Sequence, residues 1–259
     1  MRVPCSRLWP APDASPGDAA LHWGAIAGTM AQLHSAELAA ALTFGLDRPL
    51  LLAIRGAKLG DAVTHDLHHR PAPPHDDFFV VLQRDAAPIA FDGSTHAYQR
   101  TSKLSPPQGV GSVRPGHYVA HLLSGNDPEV IFHLKTPGGS GDLPAFRDWD
   151  RDGLVTVEEM RRSEAARTGQ QVNAEGTFAN AILIHGDLAE PARPDGSPAK
   201  HRSSIGCWTM PRKWRKVLAD ACRAAGGTTF DAILDEAWDI VAALDDSGES
   251  EPPPPENIA

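Results

Sequence analysis

Apolar and polar positions follow two rhythms along this chain, and the change between them divides it. From Asp18 to Leu46, "DAALHWGAIAGTMAQLHSAELAAALTFGL" sets Leu, Ile, Met and Leu at roughly helical intervals, which predicts one or two helices over 19–48. From Pro49 onward the apolar runs shorten: "LLLAIRG", "DFFVVLQR", "APIAFDG", "GHYVAHLL", "PEVIFHLK" and "NAILIHGD" are each flanked by Gly, Pro, Asp or Asn, the signature of a sheet. In "GHYVAHLLSGNDPEVIFHLK" the turn-forming Ser-Gly-Asn-Asp-Pro separates two period-2 segments, so a hairpin is expected. Past Met210 the helical rhythm returns. "PRKWRKVLADACRAAGG" closes on Gly-Gly, and "TTFDAILDEAWDIVAAL" opens on the cap-like Thr228-x-x-Asp231, with Leu234, Trp238 and Val241 on one helical face. The pattern reads as mainly β with flanking helices, an α+β class.

Composition narrows the function classes. In 259 residues a hydrophobic fraction of 41% supplies a core without disulfides, and a net charge of −9 with no basic run longer than "RKWRK" argues against a nucleic-acid groove. Cys5, Cys207 and Cys222 are odd in number and far apart, so they form neither a disulfide framework nor a CxxC metal knuckle. Asp47, Arg48 and Arg55 interrupt the most apolar stretch, and the first twenty residues hold no continuous apolar region; a soluble chain with no membrane span and no ordinary export signal is expected. Residues 1–18 read as a loose arm and the acidic, Pro-rich 246–259 as a disordered tail. Between them lie the helical segment 19–48, a β-rich domain over 49–225 and a C-terminal helix over 226–245.

The strongest local motif is "DWDRDGLVTVEE", Asp148 to Glu159, inside an insertion at 142–168. It carries the twelve-residue EF-hand pattern: Asp148, Asp150 and Asp152 at positions 1, 3 and 5, Gly153 at 6, Glu159 at 12. Calcium takes six to eight oxygens, so the Leu154 carbonyl and Thr156 would complete the set, with Val155 pointing inward. A helix is expected after the loop in "VTVEEMRRSEAARTG", whereas the entering "LPAFR" is barely a turn. A single hand of this kind suits one structural calcium ion rather than a switch.

The second motif is "ILIHGD", followed 22 residues after its His185 by Cys207 in "SSIGCW". A thiol attacks as thiolate and needs a base nearby, which His185 at a strand end can supply; equally, Cys207 can be a small core residue and His185 a hydrogen-bonded strand terminus. This pairing, Ile-His-Gly and then Ser-x-Gly-Cys before a helix, resembles the L,D-transpeptidase catalytic-domain family, cysteine enzymes that remodel bacterial peptidoglycan. "VRPGHYVAHL" is similar to that family's Pro-x-Gly-aromatic strand, and the resemblance spans roughly 50–225 with the acidic loop inserted. It implies an L,D-transpeptidase-like β-sandwich in which Cys207 is the nucleophile and His185 its base. Gly206 and Cys207 backbone N–H groups would form the oxyanion hole, Ser204 would fix the loop, and Gly186, Trp208 and Thr209 would meet a peptidoglycan or muropeptide substrate. Ile205 stands where the family has His, and Thr209 where Arg or Asn is common; both remove polar groups that orient substrate.

Other candidates are weaker. His65, His68, His69, His75, Asp76 and Asp77 gather in a Pro-rich segment that a solvated loop explains better than zinc. His117, His121 and His133 fall on one sheet face by period 2, Cys222 belongs to the core side of a helix, and His201 is a reserve base. Two function classes follow. One is a cysteine acyl-transfer enzyme braced by calcium; the other is a catalytically inactive calcium-binding interaction protein on the same fold.

Overall fold

The computed structural model describes residues 2–3, 8–56, 63–64, 77–95, 111–124, 130–150, 155–168, 177–186 and 206–246. Helix α1, Pro16–His34, starts three residues earlier than the sequence pattern suggests, because Ser15 and Asp18 form a reciprocal capping box around a proline that suits the first turn. The segment before it is packed rather than loose. Leu8 is fully buried, and Trp9 lies 4.4 Å from Phe78 and 6.1 Å from Trp23 between ring centroids. Helix α2, Ala36–Phe44, follows through Ser35, whose hydroxyl accepts from Leu38 N–H.

Thirteen strands are formed by the described residues. The first, β1 (Arg2–Val3), pairs with β3 (Val63–Thr64). Eight others make one sheet: β2 (Leu50–Arg55), β4 (Asp77–Leu82), β5 (Ile89–Gly93), β7 (Gly116–Ser124), β8 (Ile131–Lys135), β11 (Leu183–His185), β12 (Trp208–Thr209) and β13 (Thr229–Glu236). Their order is β12-β11-β8-β7-β13-β2-β4-β5. The expected hairpin is β7–β8, with an irregularity between Leu122 and Ser124.

The sheet curls until its edges meet, nearly closed and barrel-like: Ser94, just past β5, and Thr209 of β12 exchange two backbone hydrogen bonds of 2.9 and 2.7 Å. Gly93 makes this closure possible. A Cβ there would overlap the Phe79 ring and stand 2.7 Å from the Thr209 carbonyl oxygen. With the large sheet and five helices, the class is α+β.

A smaller sheet, ordered β10-β9-β6, joins β6 (Gly111–Val113), β9 (Leu143–Arg147) and β10 (Phe178–Ala179). The segment "LPAFR" is therefore a strand and not the turn of an entering helix. Its pairing with two distant segments and its near-continuous burial decide this over local propensity. Helix α3 is Val157–Thr168, and α4 is Arg212–Ala224.

The C-terminal helix expected over 226–245 is corrected in its first half. Residues 229–236 form β13, a central strand of the sheet, parallel to β2 and antiparallel to β7. Phe230, Ala232 and Leu234 face inward while Asp231, Ile233 and Asp235 face outward, and all six are buried, so both faces need a strand's alternation. Only Ala237–Asp246 is helical, as α5.

Two apolar layers result. Inside the curled sheet, Phe79, Tyr118, Phe132, Leu134, Ile184, Trp208 and Phe230 pack with the buried face of α4, and Phe132 meets Phe230 edge-on at 4.9 Å. Outside it, α1, α2 and α5 cover β2, β4 and Ile233 through Trp23, Ile26, Met30, Leu38 and Ile240. Each large side chain so buried contributes about 1.5–3 kcal/mol of apolar transfer. Among the described residues, α1 reaches as far as β7, and the helical cover does not extend over β8, β11 and β12.

Candidate functional site

Strands β11 and β12 are the one parallel pair at this end of the sheet, with Ile184 opposite Trp208 and His185 opposite Thr209. Because Ile184 and Trp208 point into the core, His185 and the residue before Trp208, Cys207, both belong to the outer face. They are diagonal neighbours on adjacent strands, where ordinary strand spacing and rise put Cα atoms about 8 Å apart. The thiol itself makes its contacts toward Leu183 and Ala181, and the His185 ring toward Gly186. Register thus sets two residues far apart in sequence two positions apart on neighbouring strands.

The His185 ring is buried, at 2% exposure, and Nδ1 lies 2.5 Å from the Gly186 carbonyl oxygen. A carbonyl only accepts, so Nδ1 carries the hydrogen and Nε2 of the neutral ring keeps its lone pair. That is the tautomer a general base requires. Gly186, expected as a substrate contact, orients the His185 ring through its carbonyl.

Cys207 is half-buried and joins no disulfide. Its Sγ accepts from Leu183 N–H at 3.5 Å and lies 3.9 Å from the Ala181 carbonyl oxygen. Burial pushes the thiol above its ordinary range, outweighing the opposing pull of the Leu183 N–H. Burial in this arrangement thus favours the protonated form of the thiol. Cys222, by contrast, is fully buried in the core as expected, its thiol pushed up to about 11 by burial.

Gly206 has φ +136°, and a Cβ on it would overlap the Gly111 carbonyl oxygen of β6. Glycine is what lets the chain pass this close before presenting Cys207. Ser204, His201 and Ile205 lie outside the described residues, as do His65, His68, His69, His75 and Asp76. Asp77 is no loop ligand: fully buried at the start of β4, it accepts from Gly56 N–H, Thr95 N–H and the Thr95 hydroxyl at 2.7–2.9 Å.

Trp208 and Thr209 require correction as substrate contacts. Both are 0% exposed: Trp208 packs inward on Phe79 and Tyr118, and the Thr209 backbone seals the sheet against Ser94. Their side chains have no surface to offer a substrate. What flanks Cys207 on the outer face is the row Leu183, His133 and His121, paired strand to strand and each half-buried. Burial, then the neighbouring Lys135 charge, holds both imidazoles below the ordinary histidine range, and His133 further lowers His121. His117 shares the face but is committed to structure: its Nε2 meets Asp231 Oδ1 at 2.7 Å, while Arg48 grips the same carboxylate at 2.5 and 2.8 Å.

Sequence reasoning missed Arg215, which is buried on α4 and donates to the carbonyls of Met210 (3.2 Å) and Val130 (2.7 Å), tying the chain after β12 to the approach to β8. Its signal was present, since Arg215, Leu218, Ala219 and Cys222 recur at i, i+3, i+4 and i+7 on the apolar face.

At the acidic loop, carboxylate oxygens of Asp148, Asp150 and Glu159 lie within 4.8 Å of one another, with Asp148 and Glu159 buried and Asp150 exposed. Val155 is buried as expected; Asp152, Gly153 and Leu154 lie outside the described residues. Thr156 and Glu159 cap α3: the Thr156 hydroxyl accepts from Glu159 N–H at 3.2 Å, and Glu159 Oε2 accepts from Thr156 N–H at 2.8 Å and from the hydroxyl at 3.0 Å. Glu159 Oε1 accepts from Trp149 N–H at 2.5 Å and Asp150 N–H at 3.3 Å. The unit is strand, loop and helix. An all-oxygen donor set at this spacing fits a hard cation such as calcium.

No protein-family model and no curated protein matches this chain. The functional reading rests on the residues themselves.

Proposed function

We propose that the chain is a cysteine-dependent acyl-transfer or hydrolytic enzyme acting on peptidoglycan stem peptides, with an L,D-transpeptidase-like fold. The observation that carries this reading is the placement of His185 and Cys207 on one face of adjacent parallel strands, with Nδ1 of His185 pinned to the Gly186 carbonyl. Nε2 takes the thiol proton as sulfur attacks a peptide carbonyl carbon, forming the S–C bond. Backbone N–H groups of Gly206 and Cys207 receive the developing oxyanion. The C–N bond then breaks, the imidazolium returns its proton to the leaving amine, and a thioester remains on Cys207. An incoming amine yields a cross-link and water yields a free acid, His185 again removing the acceptor's proton. Asp148, Asp150 and Glu159 would hold one calcium ion, which supplies bridging charge to the loop and takes no part in these steps.

Mass analysis of muropeptides incubated with wild type, Cys207→Ala and His185→Ala tests the proposal. Loss or exchange of the terminal stem residue with wild type alone is expected; identical, unaltered substrate with all three contradicts it.

A second reading, an inactive calcium-binding interaction protein, draws on the raised thiol and the burial of Thr209. Calcium-dependent stabilisation without any substrate turnover would select it.

A further inference from the structure

We propose that Arg147 is a positioning residue for Cys207, acting through Gly111 and Gly206; this rests on the reading of Cys207 as the nucleophile. Arg147 ends β9 and pairs in register with Gly111 of β6. Its guanidinium lies directly on that glycine: a Cβ on Gly111 would stand 2.9 Å from the nearer terminal nitrogen. The same side chain donates to the Phe178 carbonyl of β10, and its backbone N–H donates to Ser163 Oγ of α3 at 3.2 Å. One buried arginine thereby joins all three strands of the small sheet and the helix behind it.

The Gly111 carbonyl oxygen lies against Gly206, where a Cβ would stand 2.4 Å from it, and Gly206 is the residue before the thiol. With glycine at both positions, no side chain cushions the path from guanidinium to nucleophile. A shift of β6 is passed directly to the backbone that carries Cys207 and the proposed oxyanion donors. Burying a guanidinium is costly, and apolar side chains of similar volume often serve stability as well. Holding β6 in one place against Gly206 is a reason to bear that cost.

The consequence is kinetic. Small misplacements of reacting groups cost on the order of 100-fold in rate, so a relaxed β6 lowers kcat more than it raises KM. The test uses the full chain with Arg147→Met, which removes the fork while keeping bulk, and Gly111→Ala, which drives a methyl against the guanidinium. Iodoacetamide labelling of Cys207 is followed against pH in each, with Cys222 remaining unlabelled as the sign of an intact core. A displaced Cys207 profile in a folded variant, with kcat reduced about tenfold or more at similar KM, is the expected result. Folded variants with the wild-type labelling profile overturn the proposal. Should wild type show no turnover, the acyl-transfer reading fails while the labelling profile still decides the positioning role. Should Arg147→Met not fold, Gly111→Ala gives the same decision.

Discussion

The two halves of the sheet's outer face obey the same alternation and come to opposite ends. Over β13, β2 and β4 the outward residues Leu50, Leu52, Ile54, Phe78, Val80 and Ile233 lie buried beneath α1, α2 and α5. Over β7, β8 and β11 the outward residues His121, His133 and Leu183 are half-buried, with Cys207 beside them. The inward residues of both halves are apolar along the middle of the strands, with the charged Arg55 and Asp77 buried at one end of β2 and β4. The difference teaches that the curled core alone holds the strands, and that helices were placed where an apolar outer row demanded cover.

Substitutions on each half should separate stability from chemistry. Trp23→Ala, under the helical cover, is expected to cost about 3–5 kcal/mol in denaturant unfolding while leaving the Cys207 labelling profile of the folded fraction unchanged. Asp231→Asn, at the boundary between the halves, is expected to cost about 1–3 kcal/mol at neutral pH. Burial alone would raise this carboxyl, but hydrogen bonds from His117 and Arg48 outweigh it and hold Asp231 below the usual carboxylate range. The stabilisation is therefore full above the unfolded-state value and is lost as pH falls through the lower folded value. Melting temperatures of wild type and Asp231→Asn should converge below roughly pH 4. Convergence on the alkaline side instead would contradict the assignment. Ser15→Ala, removing the α1 cap, is expected to cost about 1 kcal/mol and to leave Cys207 labelling unaffected. On the open half, labelling of Cys207 should keep rising with pH beyond the usual thiol range, with no plateau near neutrality.

Legibility followed how local the deciding interaction was. The strands β2, β4 and β7 through β8 were readable because a continuous or alternating apolar run and a turn lie within one stretch of chain. β13 was misread because Leu234, Trp238 and Val241 keep helical spacing across what is a strand-to-helix junction; Leu234 faces the inner core and Val241 the outer one. Strands of two to five residues such as β6, β9, β10 and β12 carry little periodicity, and their partners lie far away in sequence.

At the site, the residue types of His185 and Cys207 pointed to their chemistry. Their sharing of a face depends on a parallel register that no local pattern encodes. Trp208 was misjudged for the same reason, since the strand's phase decides whether it faces substrate or core.

Intact-mass analysis of wild type quenched in acid during reaction with a stem tetrapeptide tests the central claim most directly. The account requires a thioester adduct, mapped to Cys207 by peptide fragmentation, that forms far more slowly in His185→Ala. An unmodified mass under turnover conditions, or an adduct on any other residue, would contradict it.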